Sequence, residues 1–156
     1  MAGARVDVRF DEGTLRQAFE ALQRAGADLR RPLTEIGEYL VSQTTERFRE
    51  GRGPDGEPWP QSRRAAEQTK VRDGVLVSGK TLVNFGHLRD SITYRAGPSS
   101  VEIGSNLVYA AIHQFGGRAG RGKRLTLPAR PFLGINQEDE QEIGRILTDH
   151  LAEALR

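Results

Sequence analysis

Cysteine is absent from the 156 residues. That excludes a disulfide framework and any zinc or iron–sulfur centre held by thiolates, and it suits a reducing compartment. Histidine occurs three times and tryptophan once, so few side chains are available for acid–base or metal chemistry. No run approaches the ~20 apolar residues of a membrane span. The opening Met-Ala-Gly-Ala-Arg-Val-Asp-Val-Arg-Phe has no apolar h-region, so no signal peptide is expected. Turn-forming residues, in contrast, are plentiful: 18 Gly and 7 Pro. The length suits a single domain, residues 1–156, whose core needs no staples.

The formal net charge of +2 hides a segregation. Residues 116–135 carry five cations and no acid: Arg118, Arg121, Lys123, Arg124 and Arg130. Residues 136–156 carry six acids against two cations. A basic loop followed by an acidic helix belongs to a surface that meets a polyanion or a complementary protein face.

Hydrophobic spacing sets the elements. Val6 to Phe10 alternates and reads as a short strand. Leu15, Ala18, Phe19, Leu22 and Ala25 share a helical face, with Asp11 or Thr14 as its cap and Gly26 at its end. A second, long helix starts near Arg31 with Pro32 in its first turn. It carries Leu33, Ile36, Leu40, Thr44 and Phe48 on one stripe and stops at Gly51. Residues 51–62 form a breaker-rich, flexible loop around Pro54-Asp55-Gly56. Residues 63–70 read as a short helix, and Val75-Leu76-Val77 and Leu82-Val83 as weak strands. Ile92 to Arg95 and Val101 to Ile103 flank a turn and read as a hairpin. Tyr109 to Phe115 forms a short helix stopped by Gly116-Gly117. A flexible basic loop over 116–127 holds the strand-like Leu125-Thr126-Leu127. A last helix runs from about Gln137 to Leu155, its stripe holding Ile143, Ile146, Leu147, His150, Leu151 and Leu155. Glu138, Asp139 and Glu140 in its first turn suit the positive end of the helix dipole. Helices, then strands, then a helix give an α+β fold. A small antiparallel sheet packs against two or three helices, including the long helix of the N-terminal half and the C-terminal one.

Catalytic signatures fail on spacing. Gly117-Arg118-Ala119-Gly120-Arg121-Gly122-Lys123 matches the start of a phosphate-cradling P-loop, but Arg124 stands where Ser or Thr must hold Mg²⁺. The context is wrong too, since a helix precedes it and Leu125-Thr126-Leu127-Pro128 follows. The bland reading is a Gly/Arg surface loop, and the sharper one a loop whose cations touch phosphates without reading sequence. Asp55 with Glu67 and Lys70 lacks the Glu-x-Lys spacing of a two-acid nuclease and reads as a turn residue plus a solvated pair. His113 has Gly117 at i+4, and His87 and His150 have no ligand-spaced partner. Ser78 and Ser91 lack a nucleophile elbow. Neither catalysis nor a cofactor is expected.

Trp59, between Pro58 and Pro60, either seals a core edge or enters a partner. Arg130, flanked by apolar residues, is expected to pair with a carboxylate or with backbone carbonyls.

Taken together, these motifs resemble one family. Asp55-Gly56 and Trp59 follow a helix ending Arg47-Phe48. Then come Gly86-His87-Leu88-Arg89-Asp90-Ser91-Ile92, Ile103-Gly104-Ser105, Tyr109-Ala110-Ala111-Ile112-His113-Gln114-Phe115-Gly116 and Pro128-Ala129-Arg130-Pro131-Phe132-Leu133-Gly134. Over residues 28–155 this is similar to the Mu-type virion morphogenesis family of tailed phages, related to tail completion proteins. The resemblance implies a non-enzymatic virion protein of the neck or tail, assembled in the host cytoplasm. It implies self-assembly into a ring, often of six subunits, around the DNA channel. Its neighbours would be tail-tube, head-completion or connector proteins. Asp55, Gly56, Trp59, Tyr109, His113, Phe115, Gly116, Pro128, Arg130, Pro131 and Phe132 carry the family pattern, with Trp59 and Phe132 favoured for contact between subunits. Residues 1–27 are not dictated by the resemblance, which leaves the first helix peripheral. Arg118, Arg121, Lys123 and Arg124 would face packaged DNA or the next ring. The alternative is a small nucleic-acid-binding accessory protein that uses the basic loop 117–124. No membrane partner is expected.

Overall fold

A computed structural model describes residues 3–5, 13–68, 70–77 and 79–156. The strand expected over residues 6–10, the Asp11 cap and Ser78 lie outside the described residues.

Among the described residues, seven short strands and six α-helices follow one another. They are β1 (Ala4–Arg5), α1 (Thr14–Arg24), α2 (Arg30–Glu50), α3 (Arg63–Glu67), β2 (Lys70–Arg72), β3 (Val75–Val77) and α4 (His87–Asp90). Then come β4 (Thr93–Ala96), β5 (Val101–Ser105), α5 (Ala110–Phe115), β6 (Gly117–Ala119), β7 (Leu125–Leu127) and α6 (Gln137–Ala154). The main sheet has the order β1-β5-β4 and is antiparallel throughout. The expected hairpin is its centre, with Tyr94 opposite Ile103 and Arg95 opposite Glu102. Two further antiparallel pairs, β2-β3 and β6-β7, stand apart from it. The architecture is α+β.

Helix α2 is the spine. Its apolar stripe follows the 3.6-residue repeat, and Gly51 ends it in the left-handed region at φ 75°. The middle of the helix joins Leu33, Ile36 and Leu40 to Leu22 of α1 and to Ile143, Ile146 and Leu147 of α6. Its last turn sends Phe48 into a second cluster with Trp59, Leu88, Ile92, Phe132 and Leu133. The sheet lies close against α2 at Gly37, where a Cβ would come within 2.3 Å of the Tyr94 ring. Helix α6 begins with a capping box: the Asn136 side chain accepts from Asp139 N, and the Asp139 carboxylate accepts from Asn136 N.

Four local expectations change. The helix expected over 63–70 ends at Glu67, and Lys70 already belongs to β2. Leu82-Val83 is a turn, with Leu82 at φ 63°, and not a strand. Thr14 is the first helical residue of α1, and Gly13 occupies the cap. The helix left as peripheral packs on α6, and its Leu22 is fully buried, because its apolar face has no other place to leave water.

Candidate functional site

The family motifs converge on one extended segment, residues 128–136. Its prolines deny it a helix, and without a sheet partner its backbone groups need other hydrogen-bond partners. Side chains from other elements provide them. Arg47, from the last turn of α2, donates to the carbonyls of Phe132 (3.2 Å) and Gly134 (2.8 Å) and makes a 2.6 Å ion pair with Asp139. Both members of that pair are buried, as Arg47 is 6 % exposed and Asp139 1 %. Gln114 accepts from the amides of Phe132 and Leu133 through one oxygen and donates to the Leu133 carbonyl. Trp59 Nε1 donates to the Pro131 carbonyl at 2.8 Å. Arg130 Nε reaches back to the Pro60 carbonyl at 2.7 Å, and its amide donates to the His113 carbonyl.

Tyr39 hydroxyl adds a bond to the second oxygen of Asp139. Burial, helped by the Asp139 carboxylate, pushes the Tyr39 phenol up to about 12. The aromatic rings close around this network: Phe48 meets Trp59 edge-on at 5.4 Å and Phe132 at 5.3 Å. Trp59 is therefore a core residue. Trp59 and Phe132, weighed for contact between subunits, are both buried within this chain, at 6 % and 0 % exposure.

Residues 51–62, expected to be flexible, form a hydrogen-bonded turn. Gly53 N donates to the Glu57 carbonyl, Trp59 N to Gly51, and Asp55 Oδ1 accepts from Glu57 N. Gly56 sits at φ 81°, which glycine adopts without strain. Asp55 thus shapes a turn, while Glu67 and Lys70 fall on separate elements.

The basic loop is a hairpin. Arg118 stands opposite Thr126 in the β6-β7 pair, and a 3-10 turn over Arg121–Lys123 forms the tip. The strand-turn-strand geometry leaves no helix to receive a phosphate, so the P-loop resemblance ends with the sequence. Arg118, Arg121, Lys123 and Arg124 are all exposed, and none forms an ion pair with a described residue. Gly116 makes the passage from α5 into the hairpin at φ 70°, where a Cβ would lie 2.7 Å from the Ala129 amide. Phe115 beside it is 64 % exposed and Pro128 is exposed.

Next to the hairpin root lies an open cleft of about 370 Å³. Arg130 and His113 are in its lining, with Arg63, Arg64, Phe85 and Tyr109. His113 Nδ1 is buried without a hydrogen-bond partner. Burial, and then the Arg130 charge, hold its imidazole below the usual histidine value. Arg130, 4 % exposed, has a carbonyl partner and no carboxylate among the described residues. His87 is exposed near Phe85, and His150 bonds Glu35 across α2 and α6. Ser91 donates to the Leu88 carbonyl and shares a hydrogen bond with Ser105. Among the described residues, no cluster of three or more acidic or imidazole groups could hold a metal. No helix among them is long and apolar enough to cross a membrane.

Arg47, Gln114 and Asp139, which do most of the fastening, were not singled out from the sequence. A signal existed: Arg47 lies seven residues after Leu40 and three after Thr44, and Asp139 four before Ile143, so both stand on apolar stripes.

The comparisons agree with this convergence of motifs. The chain is similar to the Mu-like prophage FluMu G protein 2 of Haemophilus influenzae, at 34% identity over 133 residues covering 85% of this chain and 86% of that protein. It is similar to the putative capsid assembly protein G of Escherichia phage Mu, at 37% over 122 residues, 75% and 76% of the two chains. Tail completion protein S of Escherichia phage P2 is 31% identical over 150 residues, 92% of this chain and 95% of that one. No solved structure matches the chain at a significant level. A model of the phage virion morphogenesis family matches residues 10–152, which include every motif that meets on the 128–136 segment, and the chain belongs to that family.

Proposed function

We propose that this chain is a non-enzymatic structural protein of the virion, acting as one α+β unit in completion of the tail or neck. It assembles as a homo-oligomeric ring around the DNA path, next to other neck and tail proteins, and the hairpin over 117–127 projects cations toward that path. The observation that carries the reading is the hairpin: four exposed cations without acidic partners among the described residues, on a rigidly rooted loop, in a chain of the virion morphogenesis family. Similarity to a tail completion protein and to a putative capsid assembly protein supports an assembly role. Unpaired Arg and Lys on a loop contact phosphates without reading bases, which suits a channel wall past which any sequence must move.

Cryo-electron microscopy of assembled particles tests the reading, with density for this chain expected in the neck or tail. Absence from particles sinks it. Reversing the charges of Arg118, Arg121, Lys123 and Arg124 is expected to alter DNA retention and leave ring formation intact. If the ring itself fails to form, the hairpin is a subunit interface. A small nucleic-acid-binding protein using the same loop would show salt-sensitive binding to bare duplex and no place in the particle.

A further inference from the structure

The cleft beside the hairpin root has an unusual electrostatic composition. Arg130 sits in its lining almost fully buried, and its one side-chain hydrogen bond among the described residues goes to the Pro60 carbonyl. A buried guanidinium usually has a carboxylate partner, because a carbonyl offsets only part of its lost hydration. No acid is among the residues lining the cleft. Arg63 at its rim is exposed and has no ion pair among the described residues. His113 is also in the lining. Two side chains that belong to no core border the opening: Phe85 at 78 % exposure and Tyr109 at 39 %. The site is thus built for a carboxylate carried beside an apolar group.

The same chain presents that combination at the end of α6. Within α6, Asp139 is consumed by Arg47, and Glu142 and Asp149 by Arg145. Glu138, Glu140 and Glu153 are exposed without an ion pair among the described residues, and of the three Glu153 alone stands beside a large exposed apolar side chain, Leu155, two residues on at 72 %. We propose that the Arg63–Arg130 cleft of one copy receives the Glu153–Leu155 end of α6 from a second copy. The Glu153 carboxylate faces the guanidinium groups, and Leu155 rests against Phe85 and Tyr109. The two patches differ, so the contact is heterologous, the kind that a closed ring requires. The inference rests on the self-association in the proposed function and supplies its interface.

The absence of cysteine makes a direct test simple. Asn84→Cys places one thiol at the cleft, Ala154→Cys places one beside Leu155, and both positions are exposed. When the two single-cysteine proteins are mixed and oxidised, the mixed disulfide dimer is expected well above its statistical share. Arg63→Glu in the first protein is expected to weaken the pairing about tenfold. Glu153→Arg in the second is expected to restore it. A statistical mixture of dimers, or no recovery by the charge swap, overturns the proposal. If crosslinking is statistical while Arg63→Glu lowers retention of duplex DNA, the cleft takes phosphate and the proposal is equally overturned. Specific crosslinking by a protein missing from particles would keep this interface and sink the ring.

Discussion

Residues 117–127 and residues 128–136 are consecutive in the chain and opposite in construction. The first stretch pairs only with itself, keeps its cations in water and has no buried residue at its turn. The second has no strand partner among the described residues and is held by side chains from three other places: Arg47 of α2, Gln114 of α5 and Trp59 of the 51–62 turn. A segment held through buried polar groups is intolerant of change, because each lost partner leaves a desolvated group behind. A self-paired surface hairpin is free to vary its side chains, and such freedom is where contacts to other molecules are placed.

Substitutions can break this contrast, and the largest effect belongs to Arg47. Arg47→Met strands the Asp139 carboxylate and two carbonyls, with an expected loss of about 3–5 kcal/mol in denaturant unfolding. Adding Asp139→Leu is expected to recover part of that loss, since the unpaired charge goes with it; a fully additive double variant would show that the charge was never the issue. Next comes Gln114→Leu, which leaves the Phe132 and Leu133 amides unsatisfied and should cost about 2–3 kcal/mol. A loss near zero would mean that the 128–136 segment is held by packing alone.

A smaller effect follows from His113. Its imidazole is held below the ordinary value of about 6.5, so the unfolded chain binds that proton more readily than the folded one. Stability therefore falls as pH drops below about 6.5, and the loss levels off once the folded protein is protonated too. His113→Gln should flatten the urea midpoint between about pH 7 and about pH 5 relative to the parent. The smallest effect belongs to the hairpin: Arg118, Arg121, Lys123 and Arg124 changed together to Ser should leave stability within about 0.5 kcal/mol. Retention on a heparin column should fall sharply in the same variant. A large destabilisation would erase the distinction between the two stretches.

Much of the architecture was legible from spacing. The stripes of α2 and α6 and the β4-β5 hairpin follow directly from apolar periodicity. The hairpin at 117–127 was half legible: Leu125-Thr126-Leu127 alternates, but Gly117-Arg118-Ala119 has no pattern, and only pairing makes it a strand. Trp59 and Phe132 look alike whether they fill a core or face a partner, and Phe48 decides the matter from another element. Arg47 and Asp139 are 92 residues apart. Each reads locally as a helix-end charge, one basic near the C-terminus of α2 and one acidic in the first turn of α6. Their pairing exists only once α2 and α6 are packed.

The bond from the Arg130 amide to the His113 carbonyl closes the chain on itself at the hairpin root. The tip beyond the β6-β7 pairs hangs from that stitched root, so its length is uncoupled from the rest of the molecule. Residues inserted beside Gly122 would lengthen a stalk without moving its base. The fold can thus trade tips while the stitched root stays the same.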